Sequence, residues 1–387
     1  MSASEPSLFP LVGLQAVSNA HNEWVALTFD LPAASDALQA TLALLSYQDA
    51  FAALAPLDCI VPIPQPLALE ASHLESLPPN RVILRVPAAA CLDPAVQKKC
   101  KQLAEAGYRI MVDGVAAAAA TQAGARALLF NCAAELPPLL ALVSLPGPHL
   151  ATHVDSEARL AECREAGFSW FMGSYAHHPQ TDVNGNDGTS RKRLLALLGL
   201  LARDADSREL EILLKQDPAL SYHLLKLVNS AAFGITTPIH SFGQAINVLG
   251  RRQLQRWLQL LLYARQQDDG SANALLPLAA VRAAQMELLS KLQGGDRDAQ
   301  DMAFVAGVFS LLDVLLGMPM TDIVSALSLD LDVVMALLDR AGPLGAMLRL
   351  VEQADAGQLA AAGIAHDVYW QTQLQAYHWA IQVSRNL

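Results

Sequence analysis

The sequence predicts an α/β domain followed by an all-helical domain, because the apolar patterning changes once along the chain. Residues 8–180 alternate short, continuous apolar runs with helical stretches, which is typical of parallel strands buried on both faces. Beyond them, Leu194, Leu197, Leu198 and Leu201 recur at helical spacing. A chain of 387 residues is also long for one hydrophobic core, so two domains are expected.

The boundary between the domains is predicted from a polar segment. Residues 180–192 read QTDVNGNDGTSRK, and a stretch rich in glycine, asparagine and aspartate buries no apolar face. We therefore predict one domain over residues 1–179, a linker over 180–192, and a second domain over 193–387.

The first domain is expected to contain a largely parallel sheet. Strands are predicted at the apolar runs, and helices between them. The predicted strands are 24–29, 59–63, 81–86, 108–112 and 128–130, and the predicted helices are 35–54, 94–106 and 157–166.

The second domain is expected to contain helices and no strands. Asp217-Pro218 is a strong helix start, because aspartate accepts a capping hydrogen bond and proline fits the first helical position. Ser241 is a candidate cap for the next helix, and Gly250 is a candidate stop. Further helices are predicted near 254–265, 274–292, 299–316, 320–327, 330–341, 343–354 and 365–384.

Charge and hydropathy argue against binding to nucleic acid or to a membrane. The formal net charge is −11, and neither part is basic: residues 1–180 hold 9 basic and 16 acidic residues, and the rest hold 17 and 21. No apolar run reaches membrane-spanning length without a charge or a proline, and the first residues do not form a signal peptide. Five cysteines without a CxxC spacing predict buried thiols in a reducing cytoplasm rather than a zinc site.

Four segments of the first domain, taken in order, resemble a shortened EAL domain, the TIM-barrel-like fold of cyclic-di-GMP phosphodiesterases. They are 12–17 (VGLQAV), 78–86 (PPNRVILRV), 103–115 (LAEAGYRIMVDGV) and 151–179, which ends in a glycine turn and a closing proline. The domain is shorter than the usual ~250 residues of such barrels, so outer helices are expected to be missing. Whether the barrel closes is left open.

The resemblance implies that this EAL-like domain is degenerate. EAL phosphodiesterases use carboxylates to hold two divalent metals that activate water. Here the resemblance assigns one carboxylate or none to each ligand position, so we expect no phosphodiesterase activity. The assigned positions are Leu27, Arg85, Asp113, Gly114, Phe130, Cys132, Thr152, Asp155 and Met172.

The segments 212–234 (ILLKQDPALSYHLLKLVNSAAFG) and 238–250 resemble the HDOD domain, an all-helical relative of the HD phosphohydrolases. The signature positions, to which we assign a structural or partner-contact role, are Asp217, Pro218, Leu220, Asn229, Ser230, Phe233, Gly234, Ser241 and Gly250. Enzymatic HD domains bind metal through a His-Asp pair. Ser310 and Leu311 stand at those two places, so we assign no metal here.

The two domains in this order resemble a family of bacterial signalling proteins, which implies regulatory contact with other proteins. We therefore predict a cytoplasmic, catalytically inactive signalling protein with no catalytic, cofactor-binding or metal-binding residue. Its expected partners are unidentified signalling proteins, and self-association stays open. One alternative is a receptor that binds cyclic-di-GMP without hydrolysis, near Arg85, Arg109 and Trp170. A third hypothesis is a metal-dependent hydrolase that uses Asp113 and Asp155.

Two further groups of residues have competing interpretations. Arg251, Arg252 and Arg256 form a local basic run, which we interpret as a solvated helix face rather than a phosphate site. His149 and His153 have the spacing of a metal pair on a helix, but they fall in a predicted strand, so a metal site is not favoured.

Overall fold

The structure is a computed structural model that describes residues 9–31, 37–75, 77–115, 117–178, 196, 199–200, 206, 209, 250–261, 263, 273–327 and 329–386. The chain forms two compact units. The barrel unit comprises Met1–Pro179 and Leu359–Leu374, and the helical unit comprises Gln180–Gln358 and Gln375–Leu387. The predicted linker at 180–192 lies outside the described residues, so that boundary stays a prediction.

Eight strands form a closed barrel in chain order, so the question of closure is answered. The first strand is antiparallel to both of its neighbours, and the other strands run parallel. The strands are β1 Gly13–Asn19, β2 Trp24–Asp30, β3 Asp58–Pro62, β4 Val82–Pro87, β5 Arg109–Asp113, β6 Ala127–Asn131, β7 Leu150–Thr152 and β8 Trp170–Phe171.

Apolar side chains from successive strands fill the barrel interior. The interior cluster consists of Val17, Ala26, Ile60, Ile83, Met111, Ala127, Leu129 and Leu150. Because neighbouring residues of a strand face opposite sides, this cluster shows which residues of each strand point inwards. The carboxyl ends of β2–β8 lie together at one end of the barrel, which we term the barrel mouth.

Short helices connect the strands: α1 Ala37–Leu45, α2 Gln48–Ala53, α3 Pro94–Glu105, α4 Ala117–Gln122, α5 Leu139–Val143 and α6 Glu157–Ala166. The helix predicted over 35–54 is two helices, and α4 and α5 were not predicted. Helix α3 begins where the Asp93 carboxylate accepts a hydrogen bond from the Ala95 N–H, with Pro94 next in the chain. Ser156 caps the start of helix α6, and Gly167, whose φ of +105° favours glycine, caps its end.

All five cysteines are buried thiols of the barrel unit, as predicted. Burial raises the pKa of Cys59 to about 12 and that of Cys100 to about 11. These thiols therefore stay protonated at neutral pH and act as small apolar core residues.

The described part of the helical unit contains helices and no strand. The helices are α7 Arg251–Leu261, α8 Leu275–Leu292, α9 Arg297–Phe309, α10 Leu312–Leu316, α11 Met320–Ala326, α12 Leu331–Asp339, α13 Gly342–Glu352, α14 Ala356–Ala361 and α15 His366–Asn386. The last two, α14 and α15, each have residues in both units. The helix predicted over 299–316 is two helices, α9 and α10, and α14 was not predicted. Helices α8 and α9 approach closely, since a Cβ on Gly307 would lie 2.6 Å from the Ala283 Cα. A search of the described helices finds none that is long and apolar enough to span a membrane.

Candidate functional site

The barrel mouth brings together inward-facing residues from several strands. Arg85 shares a strand face with Ile83, and Asp113 shares one with Met111, so both side chains belong to the inward face at the mouth. Thr152 has the same relation to Leu150, and Met172 packs against the interior cluster. The sequence assigned all four of these positions, and the structure gathers them at one end of the barrel.

The structure corrects two assigned positions by one residue. Ala26 and Leu129 belong to the interior cluster, so Leu27 and Phe130 face outwards. The positions that share the inward face near the mouth are therefore Thr28 on β2 and Asn131 on β6. Cys132 comes directly after β6, where its buried Sγ lies 3.6 Å from the carbonyl oxygen of Phe130.

An ion pair crosses the mouth between β4 and β5. The Nε of Arg85 lies 3.7 Å from an Asp113 carboxylate oxygen, and these side chains are 24% and 43% exposed. Burial raises the pKa of Asp113 above its ordinary value, and the Arg85 guanidinium partly opposes that rise. Gly114 follows with a φ of +111° and donates its N–H to the Leu129 carbonyl oxygen at 2.9 Å.

Asp155, which follows β7, is engaged by the turn after β8. Its Oδ1 accepts hydrogen bonds from the backbone N–H of Ser174 at 3.1 Å and from the Ser174 hydroxyl at 3.0 Å. The backbone hydrogen bond from Ser174 is the largest cause of the lowered pKa of Asp155. Next to it, the Nδ1 of His153 lies 3.2 Å from the Thr152 Oγ1, and His153 has a φ of +56°.

Sequence reasoning missed a buried hydroxyl group at the mouth. Thr28 is 2% exposed, and its Oγ1 has no hydrogen-bond partner among the described residues. An unsatisfied hydroxyl in an interior is unfavourable, and such a group is commonly satisfied by a water or a ligand. The continuous apolar run of β2 did not indicate that the Thr28 side chain points into the barrel.

The described residues contain no group of three histidine, cysteine, aspartate or glutamate side chains arranged to hold a metal. His149 does not face a metal site with His153, because its ring is used inside the core. His149 is buried, and its Nδ1 accepts a hydrogen bond from the Leu128 N–H at 3.1 Å. Burial lowers the pKa of His149, so its neutral ring serves as a core acceptor.

In the helical unit, the two residues that the resemblance assigns to the His-Asp places, Ser310 and Leu311, are buried. Ser310 donates its hydroxyl to the Gly307 carbonyl oxygen at 2.8 Å and accepts from the Arg282 Nη1 at 2.9 Å. Leu311 is a core residue that is 2% exposed. Asp313 follows, and its Oδ1 is buried without a hydrogen-bond partner in the described part of the chain.

Arg282 is the centre of a polar group that the sequence did not reveal, which we term the Arg282 cluster (Arg282, Ser310, Arg340 and Glu352). The Arg282 Nη1 lies 3.2 Å from the Glu352 Oε1. Arg340 donates to both oxygens of the same carboxylate, at 3.0 Å and 2.8 Å. Burial is the main cause of a lowered pKa of Arg282. One available signal was a lone arginine in the first four turns of the apolar helix α8.

Two arginines of the basic run at the start of α7, Arg252 and Arg256, are ion-paired rather than solvated, which corrects the prediction for these two residues. Arg256 makes a bidentate pair with Glu287 at 2.6 Å and 2.9 Å, and its side chain is 15% exposed. Asp301 accepts from Arg252 at 2.6 Å and from Arg256 at 2.8 Å. The Arg256 guanidinium also lies 4.6 Å from the centre of the Phe304 ring.

Most HDOD signature positions lie outside the described residues, namely Asp217, Pro218, Leu220, Asn229, Ser230, Phe233, Gly234 and Ser241. Gly250 is described: it lies immediately before α7 and has a φ of +74°. That conformation favours glycine, and the helix that Gly250 is predicted to end lies outside the described residues, so this stop stays a prediction.

Comparison with known families identifies the class of the helical unit. Residues 192–316 match the HDOD domain family, so this part of the chain is an HDOD domain, as predicted. The molecule therefore combines a closed eight-stranded α/β barrel with an HDOD domain.

Two curated proteins are similar to this chain. A Vibrio cholerae protein named cyclic di-GMP phosphodiesterase CdgJ is 32% identical over 206 residues, which cover 52% of this chain and 47% of that protein. A Bacillus subtilis protein, the uncharacterized YuxH, is 26% identical over 294 residues, covering 72% of this chain and 71% of that protein. The chain thus spans less than half of the Vibrio relative. Among solved structures, the EAL domain of Mycobacterium smegmatis DcpA is similar, with a TM-score of 0.36, 14% identity, and coverage of 42% of this chain and 89% of that one.

Proposed function

We propose that this chain is a non-enzymatic, cytoplasmic signal-transduction protein that acts by binding other proteins. The observation that carries the proposal is the Arg85–Asp113 pair at the barrel mouth. A guanidinium on the inward face repels a divalent cation, and it engages the carboxylate that a metal would need.

The other inward positions near the mouth also support a site without metal chemistry. A two-metal phosphodiesterase centre needs several hard oxygen ligands close together. Ala26, Thr28, Leu129 and Met172 offer no carboxylate, and Thr152 offers one hydroxyl that already bonds the Phe130 carbonyl oxygen at 3.3 Å. Asp155 is engaged by Ser174, so the third hypothesis, a hydrolase that uses Asp113 and Asp155, has little support.

The helical unit supports the same proposal independently. Ser310 and Leu311 stand where the resemblance places the His-Asp pair of the enzymes, and Arg282 donates a hydrogen bond to Ser310. The positive charge beside Ser310 is therefore the Arg282 guanidinium of the chain itself. By analogy of fold, an HDOD domain without metal ligands serves as an interaction surface.

A second candidate function is a receptor that binds cyclic-di-GMP without hydrolysis. The name of the Vibrio cholerae relative points to this nucleotide. The unsatisfied Thr28 hydroxyl and the loosely held Arg85 would supply a donor and a cation to a phosphate at the mouth.

The deciding experiment is calorimetric titration of the full chain with cyclic-di-GMP in magnesium buffer, with a parallel assay for the linear dinucleotide product. We expect no saturable heat at protein concentrations of tens of micromolar, and no product. Saturable binding near one equivalent without product would establish the receptor instead, with Arg85→Ala as the first variant to test. Product that disappears when the metal is chelated would overturn the non-enzymatic proposal.

The protein-binding part of the proposal needs its own test. Cross-linking in cells that make the protein, followed by purification and mass spectrometry, is expected to recover a partner in fixed stoichiometry. Recovery of the chain alone, across several cross-linker lengths, would contradict it.

A further inference from the structure

A group of cations that form no ion pair with any described residue lies on the outside of the barrel. Lys98, Lys99 and Lys101 are on α3, and they are the only lysines in residues 1–191. Arg126 follows α4. Lys98, Lys101 and Arg126 are exposed, and Lys99 is half-buried. The barrel unit carries a net negative charge, so this group is a local positive patch on it.

The other arginines of the barrel unit have partners. Arg85 and Arg109 pair with Asp113 and Asp58, and Arg159 pairs with Glu162. Arg81 and Arg164 donate to backbone carbonyl oxygens. In contrast, the three lysines and Arg126 form no ion pair within the described residues.

Exposed apolar side chains lie on the segments that lead into α3 and α4. Leu92, one residue before the cap of α3, is 68% exposed, and Val115, just before α4, is 43% exposed. The two helices are neighbours, because the Lys101 Cγ lies 3.6 Å from the position that a Cβ on Gly124 would take. We term this surface the α3–α4 face (Leu92, Lys98, Lys101, Val115 and Arg126).

We infer that the α3–α4 face docks an acidic, leucine-bearing helical segment of a partner protein. Helix α3 is about 18 Å long, which suits a partner of about three helical turns. Carboxylates on such a segment would pair with Lys98, Lys101 and Arg126, and its apolar side chains would cover Leu92 and Val115. Only Glu105, at the far end of α3, adds an opposing charge on that helix.

Charge complementarity also selects the class of partner. The net charge of −11 disfavours the approach of an acidic segment to the chain as a whole, so the local cations of the α3–α4 face favour its binding there. An anionic membrane would meet the same repulsion from the whole chain with few cations to offset it. This inference rests on the proposed protein-binding function and names the surface and the chemistry of the partner.

The test uses the full chain and a fluorescein-labelled synthetic peptide of about 15 residues with leucines on one helical face and glutamates beside them. Fluorescence anisotropy is expected to show binding that weakens with added salt, and no binding of the matched peptide with lysines in place of glutamates. In Lys98→Glu/Lys101→Glu the dissociation constant is expected to rise by about tenfold or more. Lys291→Glu, an exposed lysine at the end of α8, is the matched control and should bind as the wild type does.

A milder pair, Lys98→Gln/Lys101→Gln, keeps the test valid if charge reversal disturbs folding. Equal affinity of the wild type and this folded variant for the glutamate peptide would overturn the inference. So would lysine-dependent binding to vesicles containing phosphatidylserine without peptide binding. A cellular partner captured equally by the wild type and the variant would overturn the docking face and leave the proposed function standing. Capture of no partner by either would overturn both.

Discussion

The barrel mouth and the Arg282 cluster each hold an arginine beside a carboxylate, but the two arginines are held differently. Arg85 has one carboxylate partner at 3.7 Å, and that partner is 43% exposed. Arg282 contacts the Ser310 hydroxyl at 2.9 Å and a Glu352 oxygen at 3.2 Å, and Arg340 grips the same carboxylate. The first is a loose pair near solvent, and the second is a cross-link between helices.

The Arg282 cluster therefore has a structural role, whereas the arginine at the barrel mouth is available for binding. Glu352 ends α13, Ser310 follows α9, and Arg282 lies in α8, so one guanidinium joins three helices. At the mouth, the pair joins two strands that the barrel ladder already holds. Loss of the cation should therefore cost stability in the helical unit and little in the barrel.

The largest expected effect is that of Arg282→Met. This change leaves the Glu352 carboxylate with one partner instead of two and removes the donor to Ser310, and we expect a loss of about 3 kcal/mol in the free energy of unfolding. Urea denaturation monitored by tryptophan fluorescence measures it, since Trp257 and Trp379 pack together in this unit. Lys291→Met, on the exposed end of the same helix, is the control. A loss below about 1 kcal/mol would erase the contrast between the two places.

Asp155→Ala should have an intermediate effect at the mouth. It leaves the Ser174 N–H and hydroxyl without their acceptor, at a cost of about 1 kcal/mol. Because the pKa of Asp155 is lowered on folding, its contribution is present above the ordinary aspartate pKa and is lost as the pH falls through the lowered value. Stability curves of the wild type and the variant should converge in acid. Asp155→Asn, which keeps an acceptor oxygen, should retain part of the contribution.

The smallest expected effect on stability is that of Arg85→Ala, below about 1 kcal/mol, because the pair is long and partly exposed. The pKa of Asp113 should rise further, since the guanidinium is the group that opposes the rise caused by burial. A carboxyl carbon NMR titration measures this directly. Arg126→Ala removes an exposed cation from the same unit and should leave the Asp113 titration unchanged.

The pH dependence of Asp113 has the opposite sign to that of Asp155. Its pKa is raised on folding, so its contribution is fully present below the ordinary aspartate pKa and is lost as the pH rises through the raised value. A fall of the Asp113 pKa in Arg85→Ala would show that the guanidinium does not act on this carboxylate.

The sequence predicted the elements of the barrel better than the directions of their side chains. Continuous apolar runs located β2–β6, but a strand buried on both faces carries no alternation to mark its inward side. Leu27 and Phe130 were therefore assigned one residue away from the inward positions. Where Arg85 and Asp113 interrupt an apolar strand with a charge, the assigned position is on the inward face.

The Arg282 cluster could not be predicted from one sequence for a different reason. Arg282 lies 28 residues from Ser310, while Glu352 is on α13, and helical periodicity says nothing about which helices meet. The same limit explains the basic run at α7. Arg256 reads as a surface residue until the folded chain brings Glu287 and Asp301 against it.

The shortness of β8 has a kinetic consequence. Trp170 and Phe171 are its only residues, and they make just two pairings with β1 on one side and two with β7 on the other. Local unfolding of a closed barrel begins at the strand with the fewest pairings, so we expect the barrel to open at β8. Amide hydrogens there should exchange sooner than those of β4 and β5, and each opening would expose the mouth from the side, next to Met172.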